Sequence, residues 1–227
     1  MIRRSETAPE IDRGDAGTIV ITIRHAGDAA GQAAGARAAA AARQERPWPT
    51  GLLSWSLFVS TDGSAVMAYE QWSDDASLDA ALSSAHPGAS GIPGTEPSTP
   101  VRYRLRRSTV LASGKVAEVG CVVTPVFDVD GPERQQHFID EVFAMTESEP
   151  VKSGAISAHF HVSTDGTWVF NYAEWQDEQS HIDAVTSADP RNVRGRLTGE
   201  IPGVRPCGYR RWKLHTSLLA AGNADGR

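Results

Sequence analysis

Short runs rich in β-branched and aromatic residues alternate along this chain with stretches whose apolar positions recur at helical spacing, and the whole order is written twice. In the first half, Thr18–His25 predicts a strand and the alanine-rich stretch Asp28–Arg46 a helix ended by Pro47. Leu53–Ser60 and Ser64–Trp72 predict a hairpin, Asp74–Ala85 a second helix and Val101–Ser108 a closing strand. In the second half the same order reads Val116–Thr124, Pro132–Glu147, Ile156–Ser163 with Thr167–Trp175, Asp177–Ser187 and Gly208–Thr216. Pro132 suits a first helical position, and Phe138, Val142, Phe143 and Met145 form the apolar side of that helix. Asp62-Gly63 and Asp165-Gly166 supply the hairpin turns, because Asp-Gly tolerates the positive φ that tight turns demand.

The repetition extends to identities. Residues 58–78 and 161–181 agree at ten of 21 positions, and Asp62 and Trp72 are each matched 103 positions later, by Asp165 and Trp175. Gly51 and Ser54 match Gly154 and Ser157 at the same offset, and Ile92-Pro93-Gly94 matches Ile201-Pro202-Gly203 after a short length change. Two copies at so long a period are a domain duplication, not a solenoid. The expected division is a disordered leader over 1–16, a first domain over 17–112, a junction near Ser113-Gly114, a second domain over 115–219 and a disordered tail over 220–227. Each copy reads βαββαβ, the ferredoxin-like plan, so the fold class is α+β with two tandem domains. Helices cover one face of each sheet, and two such sheets can bury their other faces against each other as an intrachain pseudo-dimer, a dimeric α+β barrel within one chain.

Side-chain alternation then separates two faces in the second hairpin. Trp168, Phe170 and Tyr172 share one. Val169, Asn171 and Trp175 share the other, expected to look toward the helices, where His181 lies six residues past the Trp. An amide, an indole and an imidazole thus converge on one space, and buried polar groups need partners that a ligand can supply. Copy one carries Ala68 at the position of Asn171 and Leu78 at that of His181, keeping only Trp72. The first cavity is therefore expected to be apolar and its domain structural.

Composition narrows the class. The chain has 227 residues, 22 basic against 28 acidic, for a formal charge of −6, which disfavours a nucleic-acid binder. No apolar run reaches the roughly 20 residues a membrane helix needs, and the polar N-terminus lacks the apolar core of a secretory signal. A cytoplasmic protein is expected, with Cys121 and Cys207 as small buried thiols. The two cysteines form no CxxC pair, and His159 and His161 share a strand face without a third ligand, so no metal site is expected.

Copy two resembles the small antibiotic biosynthesis monooxygenases. The resemblance is carried by His-Val-Ser-Thr-Asp-Gly-Thr-Trp-Val-Phe-Asn-Tyr-Ala-Glu-Trp-Gln-Asp-Glu-Gln over 161–179, with Val129-Asp130-Gly131-Pro132 upstream and Ala188-Asp189-Pro190-Arg191 and Ile201-Pro202-Gly203 downstream. It covers all of copy two and, more weakly, copy one. It implies a dimeric α+β barrel and oxidation of a polycyclic phenol or anthrone, a small aromatic polyketide, to a quinone or hydroxylated product. The resemblance also implies molecular oxygen as co-substrate and no metal, flavin or nicotinamide. Family sites use an Asn and a Trp on the third strand, a Tyr on the next helix and an Arg beyond; by type and spacing these fall on Asn171, Trp175, His181 and Arg196, with Arg194 as an alternative. His181 departs from the family's Tyr. Neutral imidazole suits a general base, Arg196 an anion stabiliser, and Asn171 and Trp175 substrate binding, with Phe138 and Val169 lining the slot. Two other readings stay open: a non-oxidative polyketide cyclase or ligand-binding module on the same fold, and haem degradation, against which Val185 and Leu82 stand where a helical His is needed. Further association of two chains is also left open.

Overall fold

The repeated Ser-Thr-Asp-Gly sequence is a self-contained turn. Ser60 donates to Asp62 Oδ1 and accepts from the backbone of Ser64 and Ala65; Ser163 does the same with Asp165, Thr167 and Trp168. Gly63 and Gly166 close each turn at φ 74° and 81°. A glutamine on the preceding helix then ties that helix to its hairpin. Gln32 Nε2 donates to the carbonyls of Ser60 (3.0 Å) and Ala65 (2.7 Å), and Gln135 Nε2 to those of Ser163 (3.1 Å) and Trp168 (2.8 Å). These glutamines stand at the repeat offset of 103 and are part of the duplicated framework.

The computed structural model describes residues 2–84, 99–111, 118–146, 153–186 and 201–220. The elements are β1 (Ile2–Ser5), β2 (Thr18–His25), α1 (Ala29–Glu45), β3 (Leu52–Ser60), β4 (Ala65–Trp72), α2 (Asp75–Ser84), β5 (Val101–Val110), β6 (Cys121–Val129), α3 (Pro132–Thr146), β7 (Ala155–Ser163), β8 (Trp168–Trp175), α4 (Glu178–Thr186) and β9 (Val204–Ala220). Asp28, Asp74 and Asp177 cap α1, α2 and α4 by accepting from the backbone N–H three residues on, each at 2.7 Å.

Two compact units result: Met1–Tyr103 with Trp212–Arg227, and Arg104–Arg211. In unit 1 the antiparallel order is β1-β9-β3-β4-β2-β5, and in unit 2 it is β5-β7-β8-β6, with β9 beside β6. The two closing strands are longer than the sequence pattern indicates, and each serves both units. Strand β5 pairs with β2 through Val101–Tyr103 and belongs to unit 2 from Arg104. Strand β9 belongs to unit 1 from Trp212, where it pairs with β3 and β1. The compact units therefore differ from the two sequence copies in these strands.

Three further expectations are revised. The leader is not without structure: Ile2–Ser5 pairs with Ser217–Ala220, Ile11 is buried, and the Glu10 carbonyl accepts from Gln71 Nε2 at 2.8 Å. The first strand of copy two starts at Cys121, not Val116, and runs through Pro125 to Val129. Pro125 removes one donor without ending the pairing, which resumes at Val126–Phe170. Cys207 is exposed, whereas Cys121 is buried as expected. Residues 221–227, the junction at Ser113-Gly114 and the Ile92-Pro93-Gly94 motif lie outside the described residues. No helix among the described residues is long and apolar enough to cross a membrane.

Helix α1 packs its small residues on β3 and β4, with Ala36, Leu52, Leu57, Val66, Trp72 and Leu78 in one core. In unit 2, Phe138, Ile139 and Phe143 of α3 meet Ala158, Phe160 and Val169 of the sheet. Gly166 shows how closely turn and helix fit: a Cβ there would lie 2.7 Å from Pro132 Cδ, at a φ of 81°. Gly166→Ala is expected to lose about 1–2 kcal/mol from the left-handed backbone alone, lowering Tm by roughly 2–8 °C, as a thermal melt would measure.

Candidate active site

Strand β8 carries the site. Val169 joins the core under α3, while Ala173 and Trp175 join Cys121, Val123 and Ala155, with Ala184 of α4 packed against them. Alternation therefore turns Val169, Asn171, Ala173 and Trp175 to the helix side, as the pattern predicts. His181 enters that space from α4 and is 1% exposed. Its ring stands edge-on to Trp175, which is 2% exposed, with centroids 5.0 Å apart and planes at 84°. Tyr209 lies on β9 with its ring centroid 5.1 Å from that of His181, and at 47% exposed it is open to solvent.

The decisive contact is Arg211 Nε donating to His181 Nδ1 at 3.0 Å. Guanidinium only donates, so the nitrogen it meets must carry a lone pair. His181 is thus a neutral imidazole whose proton sits on Nε2. Arg211 also reaches the Tyr209 hydroxyl at 3.5 Å and lies 5.3 Å from the Tyr209 ring centroid. The sequence reading assigned the arginine to Arg196 or Arg194, both outside the described residues. It missed Arg211 and Tyr209, although Tyr-x-Arg on a strand places both side chains on one face. His181 as a general base is revised by the same contact: its Nδ1 lone pair is engaged and its Nε2 is a donor.

Asn171 is half-buried, and its Oδ1 is buried with no hydrogen-bond partner among the described residues. A buried amide oxygen without a donor is destabilising by about 1–3 kcal/mol, so it marks a place for one. Four residues of strand separate it from Trp175, about 13 Å. Phe138 and Val169 are 1% and 0% exposed, and Phe127 stacks 4.6 Å from the Phe138 ring. Both are sealed in the protein's own core, so the substrate-lining role expected of them requires that core to open.

The opposite face of β7 and β8 holds a second polar array. Ser157 Oγ donates to Glu174 Oε2 at 2.6 Å, and His159 bridges Ser157 Oγ and Ser108 Oγ, each at 2.9 Å. Burial pushes the Glu174 carboxyl above its ordinary value, against the opposing effect of the Ser157 hydrogen bond. His161 is fully buried, bonded through Nδ1 to the His159 carbonyl at 3.0 Å, and burial, with the neighbouring His159, pushes it down to about 3. Both histidines are thus bound within the protein's own hydrogen bonds.

No family model matches the chain. Among curated proteins, tetracenomycin-F1 monooxygenase of Streptomyces glaucescens is 40% identical over 68 residues, 29% of this chain and 57% of that enzyme. The chain thus spans little more than half the length of this curated relative. Among solved structures, the monooxygenase from the gene ActVA-Orf6 of Streptomyces coelicolor, in complex with nanaomycin D, is 32% identical. That match covers 48% of this chain and 94% of the other, at a TM-score of 0.35. The chain belongs to the antibiotic biosynthesis monooxygenase family. An anthrone oxidase-like protein, 13% identical, covers 100% of both chains at a TM-score of 0.74 and shares the fold alone, the tandem α+β plan expected from the repeat.

Within this family member, the helix side of copy one, expected to be apolar, is not so throughout. Glu70 occupies the position of Ala173, on the helix side of β4. Its Oε2 accepts from Trp72 Nε1 at 2.9 Å, and burial raises the carboxyl above its ordinary range, opposed by Trp72 and by the Arg43 charge. On the other face, Gln71 stands where copy two has Glu174 and accepts from Ser54 at 2.6 Å, so the duplication contains its own neutral control. A carboxyl whose folded pKa is raised holds its proton to higher pH than in the unfolded chain. Glu174 therefore lowers stability as pH climbs from about 4.5 through that raised value. Glu174→Gln is expected to raise Tm at pH 7–8 and to flatten this decline. Thermal melts across pH 4–8 check it, and identical slopes in the two proteins would count against an ionising Glu174.

Proposed function

We propose that unit 2 is the active site of a monooxygenase that oxidises a polycyclic aromatic polyketide of the phenol or anthrone type with O₂, using no metal, flavin or nicotinamide. Family membership supports the reaction class, and the names of the two Streptomyces relatives support the substrate class. The observation that carries the reading is the buried pair Trp175 and His181 with the half-buried Arg211, on the same side of the sheet as an Asn171 amide oxygen without a partner among the described residues.

These residues supply what the chemistry requires. An electron-rich phenolate or carbanion can pass one electron to O₂ directly, and the protein must favour the ionised form and hold it flat. The indole of Trp175 offers an edge or face to a fused ring. The His181 Nε2–H is a donor for the oxygen that becomes negative as the substrate ionises, its proton passing to water. Asn171 Oδ1 accepts from a substrate hydroxyl. Electron transfer and recombination give a hydroperoxide, and loss of water leaves a carbonyl, so one CH₂ and one O₂ become one C=O and one H₂O.

The test is oxygen uptake by the purified full chain with 1,8-dihydroxyanthrone, in the presence of a chelator and without added cofactor. One O₂ consumed per quinone formed, with kcat reduced on the order of 100-fold in His181→Ala and a smaller loss in Asn171→Ala, is the expected outcome. No uptake above the uncatalysed rate would reject the oxidative reading in favour of a binding or cyclising role, and full activity in both variants would reject the site.

A further inference from the structure

We infer that Arg211 is the positioning residue that makes His181 a fixed hydrogen-bond donor, and that the site therefore takes its substrate through an oxygen that accepts this bond. The inference rests on the proposed monooxygenase site but concerns the state of the imidazole before any substrate arrives. A free imidazole exchanges its proton between two nitrogens, and a histidine with no orienting partner presents either. Here three contacts remove that freedom. Arg211 Nε occupies Nδ1 at 3.0 Å, and the rings of Trp175 and Tyr209 stand 5.0 Å and 5.1 Å from the imidazole on β8 and β9.

The direction of the bond follows from chemistry. A guanidinium stays protonated at all accessible pH, so it cannot accept from Nδ1–H; the proton must reside on Nε2. Among the described residues the partners of Arg211 are His181 and Tyr209, neither of them a carboxylate. Unit 1 shows the alternative: Arg102, on the closing strand there, is bound by Asp75 and Asp79 of α2 at 3.4 Å and 2.7 Å, and Leu78 stands where α4 has His181. The helix residue that would make the arginine an orienting group is missing, and the arginine is spent on carboxylates. In unit 2 the positive charge is instead relayed through the imidazole to Nε2–H, which it polarises. The matching ligand group is a carbonyl, enolate or phenolate oxygen, and a ring system bearing only hydrogen or an ether at that position forfeits the contact.

The assignment is tested on the ligand-free full chain by long-range ¹⁵N–¹H correlation of uniformly labelled histidines, with the His181 signals identified by their loss in His181→Gln. The expected spectrum shows His181 with a bare Nδ1 and a protonated Nε2, and Arg211→Met shifts it to the averaged pattern of a ring exchanging between tautomers. With 1,8-dihydroxyanthrone, Arg211→Met is expected to lose kcat on the order of 10–100-fold with little change in KM, because an orienting partner acts through the group it orients. A protonated Nδ1 in the unaltered protein, or an unchanged His181 pattern in folded Arg211→Met, overturns the inference. If Arg211→Met does not fold, Arg211→Lys replaces it, and the spectrum of the unaltered protein still decides by itself. Absence of oxygen uptake with the expected spectrum would instead reject the proposed reaction and leave the role of Arg211 standing.

Discussion

Neighbouring residues of an extended strand must point to opposite sides of its sheet, and in β8 five of the eight positions are buried and the other three half-buried. The polar positions Asn171 and Glu174 are three residues apart, so they cannot share a side. That single constraint separates the molecule's chemistry into two arrays. Asn171 goes with Trp175, His181 and Arg211 under the helices, and Glu174 goes with Ser157, His159 and Ser108 on the other face. A one-residue slip in the pairing of β7 with β8 would exchange the two sets. The register is guarded at the open end of the hairpin by an irregularity between Ala155 and Ser157, repeated between Leu52 and Ser54, next to Gly154 and Gly51 at φ 80° and 81°. At the other end the Ser-Thr-Asp-Gly turn fixes the loop length. What looks in the sequence like a repeated turn motif helps decide which face each polar group occupies.

The duplication makes the consequences readable, because each unit is a variant of the other on one framework. Glutamine staple, turn serine, aspartate cap and strand tryptophan are retained in both. Four differences separate them chemically: Ala68 for Asn171, Glu70 for Ala173, Gln71 for Glu174, and Leu78 for His181. In unit 1 the Trp72 indole is spent on Glu70, and the Gln71 amide on the N-terminal segment through the Glu10 carbonyl. Both of these groups are satisfied by the chain. In unit 2 the amide oxygen of Asn171 is buried without such a partner among the described residues, and Arg211 ends on an imidazole. The asymmetry lies in which hydrogen-bond partners these matched positions find, and the half-buried Glu70, its carboxyl raised above its ordinary range, shows that unit 1 is not simply apolar.

The parts of this arrangement that were legible in the sequence are those set by local pattern. Strand alternation, Asp-Gly turns, the helix ended before Pro47 and the 103-residue offset placed most elements to within a few residues and put Trp175 and His181 in one space. What escaped was long-range. Arg211 meets His181 across 30 positions, a pairing no periodicity predicts. Strand β1 is a four-residue run, three of them polar, that pairs along the edge offered by Ser217–Ala220. Pro125 reads as a breaker, yet β6 continues past it, because a single missing donor interrupts a ladder without ending it. Glu70 stands in the repeat as the counterpart of Ala173, a position where copy one is polar and copy two is not.

Under the proposed reaction, the contact from Arg211 to His181 would bear on how side chains can promote a reaction with oxygen. Ionising the substrate raises its electron-donating power, which triplet O₂ needs, but every donor placed on the resulting oxyanion lowers the energy of those same electrons. A guanidinium in direct contact would favour ionisation most and hold the charge most tightly. Placing a neutral imidazole between cation and substrate divides the two requirements. The N–H is a single directed bond, strengthened by the charge behind it because hydrogen bonds in series polarise one another, while the full positive charge stays one ring farther from the electrons that must leave. A tyrosine at position 181 would meet the arginine with an oxygen that also titrates, whereas imidazole held by Arg211 can donate without becoming charged. Under the proposed reaction, the exchange of the family's tyrosine for His181 would keep a hydrogen bond to the substrate and change what stands behind it, the Arg211 guanidinium of β9.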